Sequence, residues 1–265
     1  MTLSVIIPTK NEEPNIGACI DAFATFRDEA ELIVVDNAST DRTREIATSR
    51  NCRVFVQGPE RCAQRNRGWR EAAGDYVLFV DADMIVPAET VREILAACAA
   101  GDADAWYVRE VRSGRGLRIK ARNFERSFYD GTCIDGLRVI RRTFLEGIGG
   151  YDENLVACED WDLDRRLIAA GAKTAITRGH LVHNEARQDL RMFLKKKAYY
   201  ATSVEAYRKK WHQDAICRLQ FGLGYRFFGV FVANGGWRKL LRHPVLSFVM
   251  YCERIAVGLT YLKNK

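Results

Sequence analysis

Between Tyr76 and Met84 the chain reads YVLFVDADM, an apolar run of strand length that stops abruptly in two aspartates one residue apart. A strand that buries Val77, Phe79 and Val80 has no use for carboxylates at its tip. In a twisted parallel sheet, ligands bind beyond the carboxyl ends of the strands. Asp81 and Asp83 together offer oxygen ligands to a hard divalent cation, and such a cation in turn holds phosphates. The plainer alternative is a pair of solvated acids capping the next helix, and DxD alone does not separate the two.

The surrounding sequence alternates strand and helix. Leu3–Pro8 is an apolar run, followed by Ile16, Cys19, Ile20 and Phe23 at helical spacing. Leu32–Val35 ends at Asp36, and Thr40 or Asp41 is placed to cap a helix running through Ala47. Val54–Val56 reads as a strand, Arg61–Ala73 as a helix closed by Gly74, and Val91, Ile94, Leu95 and Cys98 as another helix after Pro87. This alternation predicts a mostly parallel sheet with helices on both faces. After Gly101 the rhythm changes. Ala105–Val111 reads as a strand. The stretch Arg109–Arg122, with glycines at 114 and 116, is expected to be a flexible basic loop that folds over phosphates. Asp160–Ala170 reads as a helix closed by Gly171, and Thr174–Ile176 as a short strand.

Cysteine usage and charge narrow the setting. The eight cysteines form no CxxC pair, so zinc and thioredoxin-like readings lack support, and they are expected to be small core residues in a reducing compartment. No secretory segment is read at the N-terminus, which predicts a cytoplasmic location. Residues 189–265 carry 15 Lys+Arg against 4 Asp+Glu, whereas the whole chain is only +7, so residues 1–188 are mildly acidic. A basic tail on an acidic body predicts an anionic surface as partner.

Four segments now line up in order: SVIIPTKNEEPNI, ELIVVDNASTDRT, YVLFVDADM and GIGGYDENLVACEDWDLDRRLIAAG. This ordered set resembles the family 2 glycosyltransferases over roughly residues 3–185. The resemblance implies a GT-A fold: an α/β, Rossmann-like, mostly parallel sheet flanked by helices over residues 1–188. Residues 189–265 would then be a helical, basic and aromatic C-terminal extension. It implies that Pro8, Thr9, Asn11 and Glu12 form a nucleotide-binding turn, and that Asp36 and Asn37 contact the base. Lys10 departs from the aromatic often found in that turn, and Asn37 stands where many members carry Asp. Asp81 would contact the ribose and, with Ala82 and Asp83, approach the diphosphate. Arg65, Asn66 and Gly68 resemble an RNxG segment that lies near the nucleotide. Asp83, with Asp81 beside it, would hold Mn2+ or Mg2+, which neutralises a diphosphate leaving group. His183 is a further expected metal ligand, with His180 as fallback; an imidazole beside carboxylates suits Mn2+.

Glycosyl transfer with inversion needs one carboxylate to take the acceptor hydroxyl's proton. Asp160 matches the aspartate of the family's ED motif and is the expected base, with Glu159 orienting the acceptor; as an alternative, Asp160 caps its helix. The donor expected is a UDP-sugar ahead of a GDP-sugar. In the tail, basic clusters at Lys195–Lys197, Arg208–Lys210 and Arg238–Arg242 lie among aromatics, a pattern that suits a helix lying in lipid headgroups. Pro244–Leu262 contains Glu253 and Arg254 and is a poor spanning helix. A peripheral contact with the inner face of a membrane, and a glycan or lipid-linked acceptor, follow as expectations, with no nucleic-acid partner. Two rivals stand beside this reading. A sugar nucleotidyltransferase would run its first strand into a glycine-rich loop, where this chain has Pro8-Thr9-Lys10-Asn11. A basic, non-catalytic membrane- or nucleic-acid-binding protein would need neither DAD nor the ED pair.

Overall fold

The computed structural model describes residues 3–184 and 204–263. Its sheet runs β1 (Leu3–Thr9), β2 (Ala30–Asp36), β3 (Arg53–Val56), β4 (Tyr76–Phe79), β5 (Met84–Ile85), β6 (Ala105–Arg112), β7 (Leu137–Arg141) and β8 (Thr174–His183). In space the order is β3-β2-β1-β4-β7-β6-β8-β5. From β3 to β4 every pairing is parallel, as the alternation predicts. Beyond β4 the sheet is mixed: β7 runs antiparallel to β4 and β6, β8 returns parallel to β6, and β5 is antiparallel to β8.

The strands of the parallel half are buried end to end, because helices cover both faces. One face packs Val5, Ile7, Leu32, Val34 and Leu78 against α1 (Ile16–Asp21), α2 (Thr43–Ser49) and α4 (Ala88–Ala100). The other packs Ile6, Ile33, Val35, Val77 and Phe79 against α3 (Arg61–Glu71), α6 (Arg142–Ile148) and α7 (Glu159–Ala169). The strict two-residue alternation between these sets is the pleat of the strands. The N-cap residue of α2 is Arg42 rather than Thr40 or Asp41, and Asp41 Oδ1, one residue earlier, accepts from the Thr43 amide at 3.0 Å.

Two further expectations are corrected. The basic stretch Arg109–Arg122 is not one flexible loop: β6 runs to Arg112, and α5 (Leu117–Arg126) begins after a short turn at residues 113–116. The physical reason is apolar burial: Phe124 on α5 and Phe128 just after it pack in one cluster with Val230, Phe231 and Met250 of the C-terminal segment. Two of the stretch's cations, Arg118 and Arg122, face Glu253 of the C-terminal helix Pro244–Lys263 at 2.9 and 3.7 Å rather than a ligand. The short strand expected at Thr174–Ile176 runs on to His183, so GHLVHNE is strand for most of its length. Gly179 allows this, since a Cβ there would lie 2.5 Å from Thr90 Oγ1 on α4.

Residues 204–263 are helical for most of their length, as expected, and have no core of their own. Val230, Phe231 and Met250 pack with Phe124, Phe128 and Ile134, while Tyr207 and Cys217 pack with Leu155. All eight cysteines are free, most of them at least partly buried. Among the described residues no helix is long and apolar enough to cross a membrane. The basic cluster Lys195–Lys197 lies outside the described residues.

Candidate active site

The carboxyl ends of β1, β2 and β4 open on one edge, and the loops leaving them are stitched to each other. The Asn11 amide donates to Ser39 Oγ at 2.8 Å, Asn11 Oδ1 accepts from the Thr40 amide at 2.9 Å, and the Glu12 amide donates to Thr43 Oγ1 at 2.8 Å. Asn11 and Ala38 sit at φ 53° and 48°, left-handed positions that fold both turns back on themselves. Gln64 ties the strand ends below, donating to the carbonyls of Thr9 at 2.9 Å and Val35 at 2.6 Å. Pro8 and Thr9 are buried at the end of β1. Asp36 is fully buried, and both its carboxylate oxygens accept from Ser39, so it closes the turn from within. Asn37 is the more accessible member of that pair; its side-chain amide donates to the Pro59 carbonyl at 3.2 Å. The turns after β1 and β2 are thus held to each other by hydrogen bonds.

Arg65 organises the next layer. It lies on α3 with no exposed surface, which excludes a helix-surface charge. Its Nη2 donates to Asp81 Oδ1 at 3.1 Å and its Nη1 to Asp160 Oδ1 at 2.8 Å, with Glu159 Oε1 at 3.7 Å. One guanidinium therefore joins the first aspartate of DAD to the ED pair, reaching Asp160 across 95 residues of chain. The Tyr151 ring lies 5.1 Å from the same guanidinium, and its hydroxyl donates to Asp160 Oδ1 at 3.4 Å. Arg138 and Arg61 add cations 3.7 and 3.9 Å from Asp81 Oδ2. Burial alone would raise the Asp81 carboxyl, but Arg65, Arg138 and Arg61 outweigh it and hold it far below the usual carboxylate range. Arg138 is in turn held by Glu110 at 2.6 Å.

The RNxG segment has three separate tasks. Arg65 binds the carboxylates. Asn66 clamps the loop before α7, exchanging bonds with the Tyr151 backbone at 2.8 and 2.9 Å and donating to Glu153 at 2.7 Å. Gly68 lets α3 settle on β1, where a Cβ would lie 2.3 Å from Ile6 Cγ2.

Glu159 and Asp160 open α7, where the positive end of the helix dipole favours carboxylates. The N-cap is Cys158, at φ 62°, so Asp160 is not the cap. Glu159 is buried, and burial with the neighbouring Asp160 raises its carboxyl to about 7. Asp160 is more accessible than Glu159, with a side chain 30% exposed. Ala82 is buried between the two aspartates of DAD.

Asp83 points away from the arginines. Its Oδ2 lies 2.9 Å from His183 Nε2, brought there by the Met84↔His183 register of β5 on β8, and its carbonyl accepts from the Asn184 amide at 2.8 Å. His180, three residues earlier on β8, belongs to the opposite face of the strand, and its backbone is tied to Thr90 on α4. Among the described residues no group of three or more His, Cys, Asp or Glu side chains surrounds a point by itself. The Asp83–His183 pair sets a carboxylate oxygen beside an imidazole, a donor set whose chemistry suits Mn2+.

Sequence reasoning missed Arg138, Tyr151 and Gln64. Arg138 had a visible signal, a cation inside the apolar strand LRVIR. Tyr151 and Gln64 had none, because their roles depend on partners far away in the chain.

The stitched strand edge, the DAD tip beyond β4 and the ED pair at the start of α7 sit on a GT-A type α/β fold. The model of the family "Glycosyl transferase family 2" matches residues 4–150, and the chain belongs to that family. Among curated proteins it is 39% identical over 97 residues to glucosyl-3-phosphoglycerate synthase of Mycolicibacterium paratuberculosis, covering 32% of this chain and 30% of that protein. It is 26% identical over 200 residues to the O-antigen chain rhamnosyltransferase WbaN of Salmonella anatum, covering 66% and 63%. The matches thus span less than two thirds of these relatives' own lengths. Among solved structures, mannosyltransferase PcManGT from Pyrobaculum calidifontis, in complex with GDP-Man and Mn2+, superposes with TM-score 0.67 at 20% identity, over 99% of this chain and 87% of that one.

Proposed function

We propose that the protein transfers a sugar from a nucleoside diphosphate sugar to an acceptor hydroxyl, with inversion. The observation that carries this reading is the single buried Arg65 that fixes Asp81 and Asp160 at opposite ends of one guanidinium. Asp83 and His183 would hold Mn2+ or Mg2+, which when bound stabilises the charge of the departing diphosphate. Asp160, on the solvent side of the pair, takes the acceptor proton. Arg65 and Tyr151 fix its rotamer but leave its outer oxygen open. Glu159, beside the same guanidinium, orients the acceptor or its neighbours. The turns around Asn11, Asn37 and Ser39 receive the nucleoside. UDP is favoured over GDP as donor carrier, and both have support: glucosyl-3-phosphoglycerate synthase of Mycobacterium tuberculosis was solved with Mn2+ and UDP, and PcManGT with GDP-Man. The acceptor class proposed is a glycan or a lipid-linked sugar.

The test is the melting midpoint with Mn2+ and each of UDP, GDP, dTDP and CMP in turn. A ligand at about 100 times its Kd stabilises the native state by about 2.7 kcal/mol. One nucleotide should raise the midpoint, and only with metal. Asp83→Ala should abolish that shift. A full metal-dependent shift in Asp83→Ala would sink the metal assignment, and no shift with any nucleotide would sink the donor site.

A further inference from the structure

The C-terminal helix Pro244–Lys263 buries one face and leaves the other apolar. Met250, Leu246 and Tyr251 pack inward on Phe231 and its neighbours, and Glu253 and Arg254 are tied to α5 through Arg118 and Glu125. Outward stand Val245, Phe248, Cys252, Ile255 and Leu259, spaced alternately by three and four residues, so they form one stripe along the helix. Leu241, on the preceding helix Trp237–Arg242, extends it. These are large exposures for such residues: Leu241 is 72% exposed and Phe248 71%. A contiguous apolar stripe of this kind marks an interaction surface.

Charge says what covers it. Residues 204–263 contain ten Lys and Arg against three acids, Glu205, Asp214 and Glu253. Asp214 is bound to Arg165 and Glu253 to Arg118, which leaves Glu205 as the acid exposed to solvent. Arg238, Lys239 and Arg242 are exposed around Leu241, where the stripe begins. Apolar side chains edged by cations are complementary to an anionic lipid surface, with the stripe among the upper acyl chains and the cations among headgroups. A second copy of the chain is a poorer fit. Paired in parallel, the two Arg238–Arg242 clusters would face each other. The helix does not meet the requirements of a membrane span.

We propose that the face formed by Leu241, Val245, Phe248, Ile255 and Leu259, edged by Arg238 and Arg242, seats the protein on an anionic membrane. This surface rests on no step of the transfer reading: a catalytically inactive protein would still bind, so either proposal can fail alone.

Co-sedimentation of the full chain with vesicles of phosphatidylcholine, with and without about 30 mol% phosphatidylglycerol, tests it. The expected result is binding to the anionic vesicles only, weakened by salt. It should fall about tenfold or more in Val245→Ser/Phe248→Ser, and again in Arg238→Glu/Arg242→Glu, with melting midpoints unchanged in both. Equal binding to both vesicle types, no binding to either, or binding that survives both variants would overturn the proposal. So would a concentration-dependent dimer that Val245→Ser/Phe248→Ser dissolves, in a protein that ignores vesicles.

Discussion

Arg65 shows how much one side chain can decide. It is a fully buried cation whose terminal nitrogens reach acids from two distant segments, and its Nε is buried with no hydrogen-bond partner. Removing one member of such a buried group leaves the others charged without compensation, which costs about 3–5 kcal/mol. Arg65→Ala should therefore lose about that much unfolding free energy in urea titration, far more than substitution of the exposed Arg42–Glu13 pair would. Asp160 is a different case. It is partly exposed, so Asp160→Asn keeps the bonds from Arg65 and Tyr151 in place while removing the proton acceptor. Turnover should fall by about 100- to 10,000-fold, while the nucleotide- and metal-dependent melting shift persists. A variant that loses both together would show Asp160 to be a binding residue instead.

At the scale of elements, the site depends on how closely α3 approaches β1. That helix carries Gln64, Arg65 and Asn66 on its buried side, and each reaches a different target: two strand carbonyls, two carboxylates and the Tyr151 loop. Gly68, one turn further on, sets the distance. A methyl at that position would sit 2.3 Å from Ile6 Cγ2, deep in the sheet, where neither element can yield easily. Gly68→Ala should cost about 1–3 kcal/mol in chemical denaturation, although alanine is the better helix former. A stabilised Gly68→Ala would mean that α3 is free to shift, and that the spacing of the carboxylates is not fixed by it.

For the whole molecule, buried acids give stability an unusual dependence on pH. Glu159 is raised to about 7 by burial and by Asp160, and Asp164 to about 6 chiefly by burial. In each the folded state holds a proton more tightly than the unfolded chain does. Their stabilisation is complete below the unfolded pKa near 4.5 for Glu159, and it is lost as pH rises through about 7. For Glu159 alone the span corresponds to about 3 kcal/mol. Asp81 and Glu110 act in the opposite sense, because their arginine partners depress them, and their contribution is lost only under more acidic conditions. The melting midpoint should therefore fall between about pH 5 and 8. Glu159→Gln should flatten that slope; an equally steep slope in the variant would show that Glu159 is already ionised in the folded protein.

The sequence by itself determined the parallel half of the sheet, because its strands and helices announce themselves through local periodicity. The tips at Asp36 and Asp81–Asp83 and the helix start at Glu159–Asp160 were legible for the same reason: acids at the end of an apolar run or the head of a helix are local signals. What only the tertiary structure decided was which of these groups meet. Asp81 and Asp83 are two residues apart, yet one turns into a nest of arginines and the other toward a histidine a hundred residues away. The cations of Arg109–Arg122 looked like a phosphate-binding loop because charge is visible in a sequence and its partner is not; folding placed Glu253 against Arg118 and Arg122, and Asp130 against Arg109. The apolar stripe of the last helix has helical spacing on every face, and only packing reveals which face is left uncovered. Periodicity is a short-range property of the chain, whereas pairing and exposure depend on where distant segments come to rest.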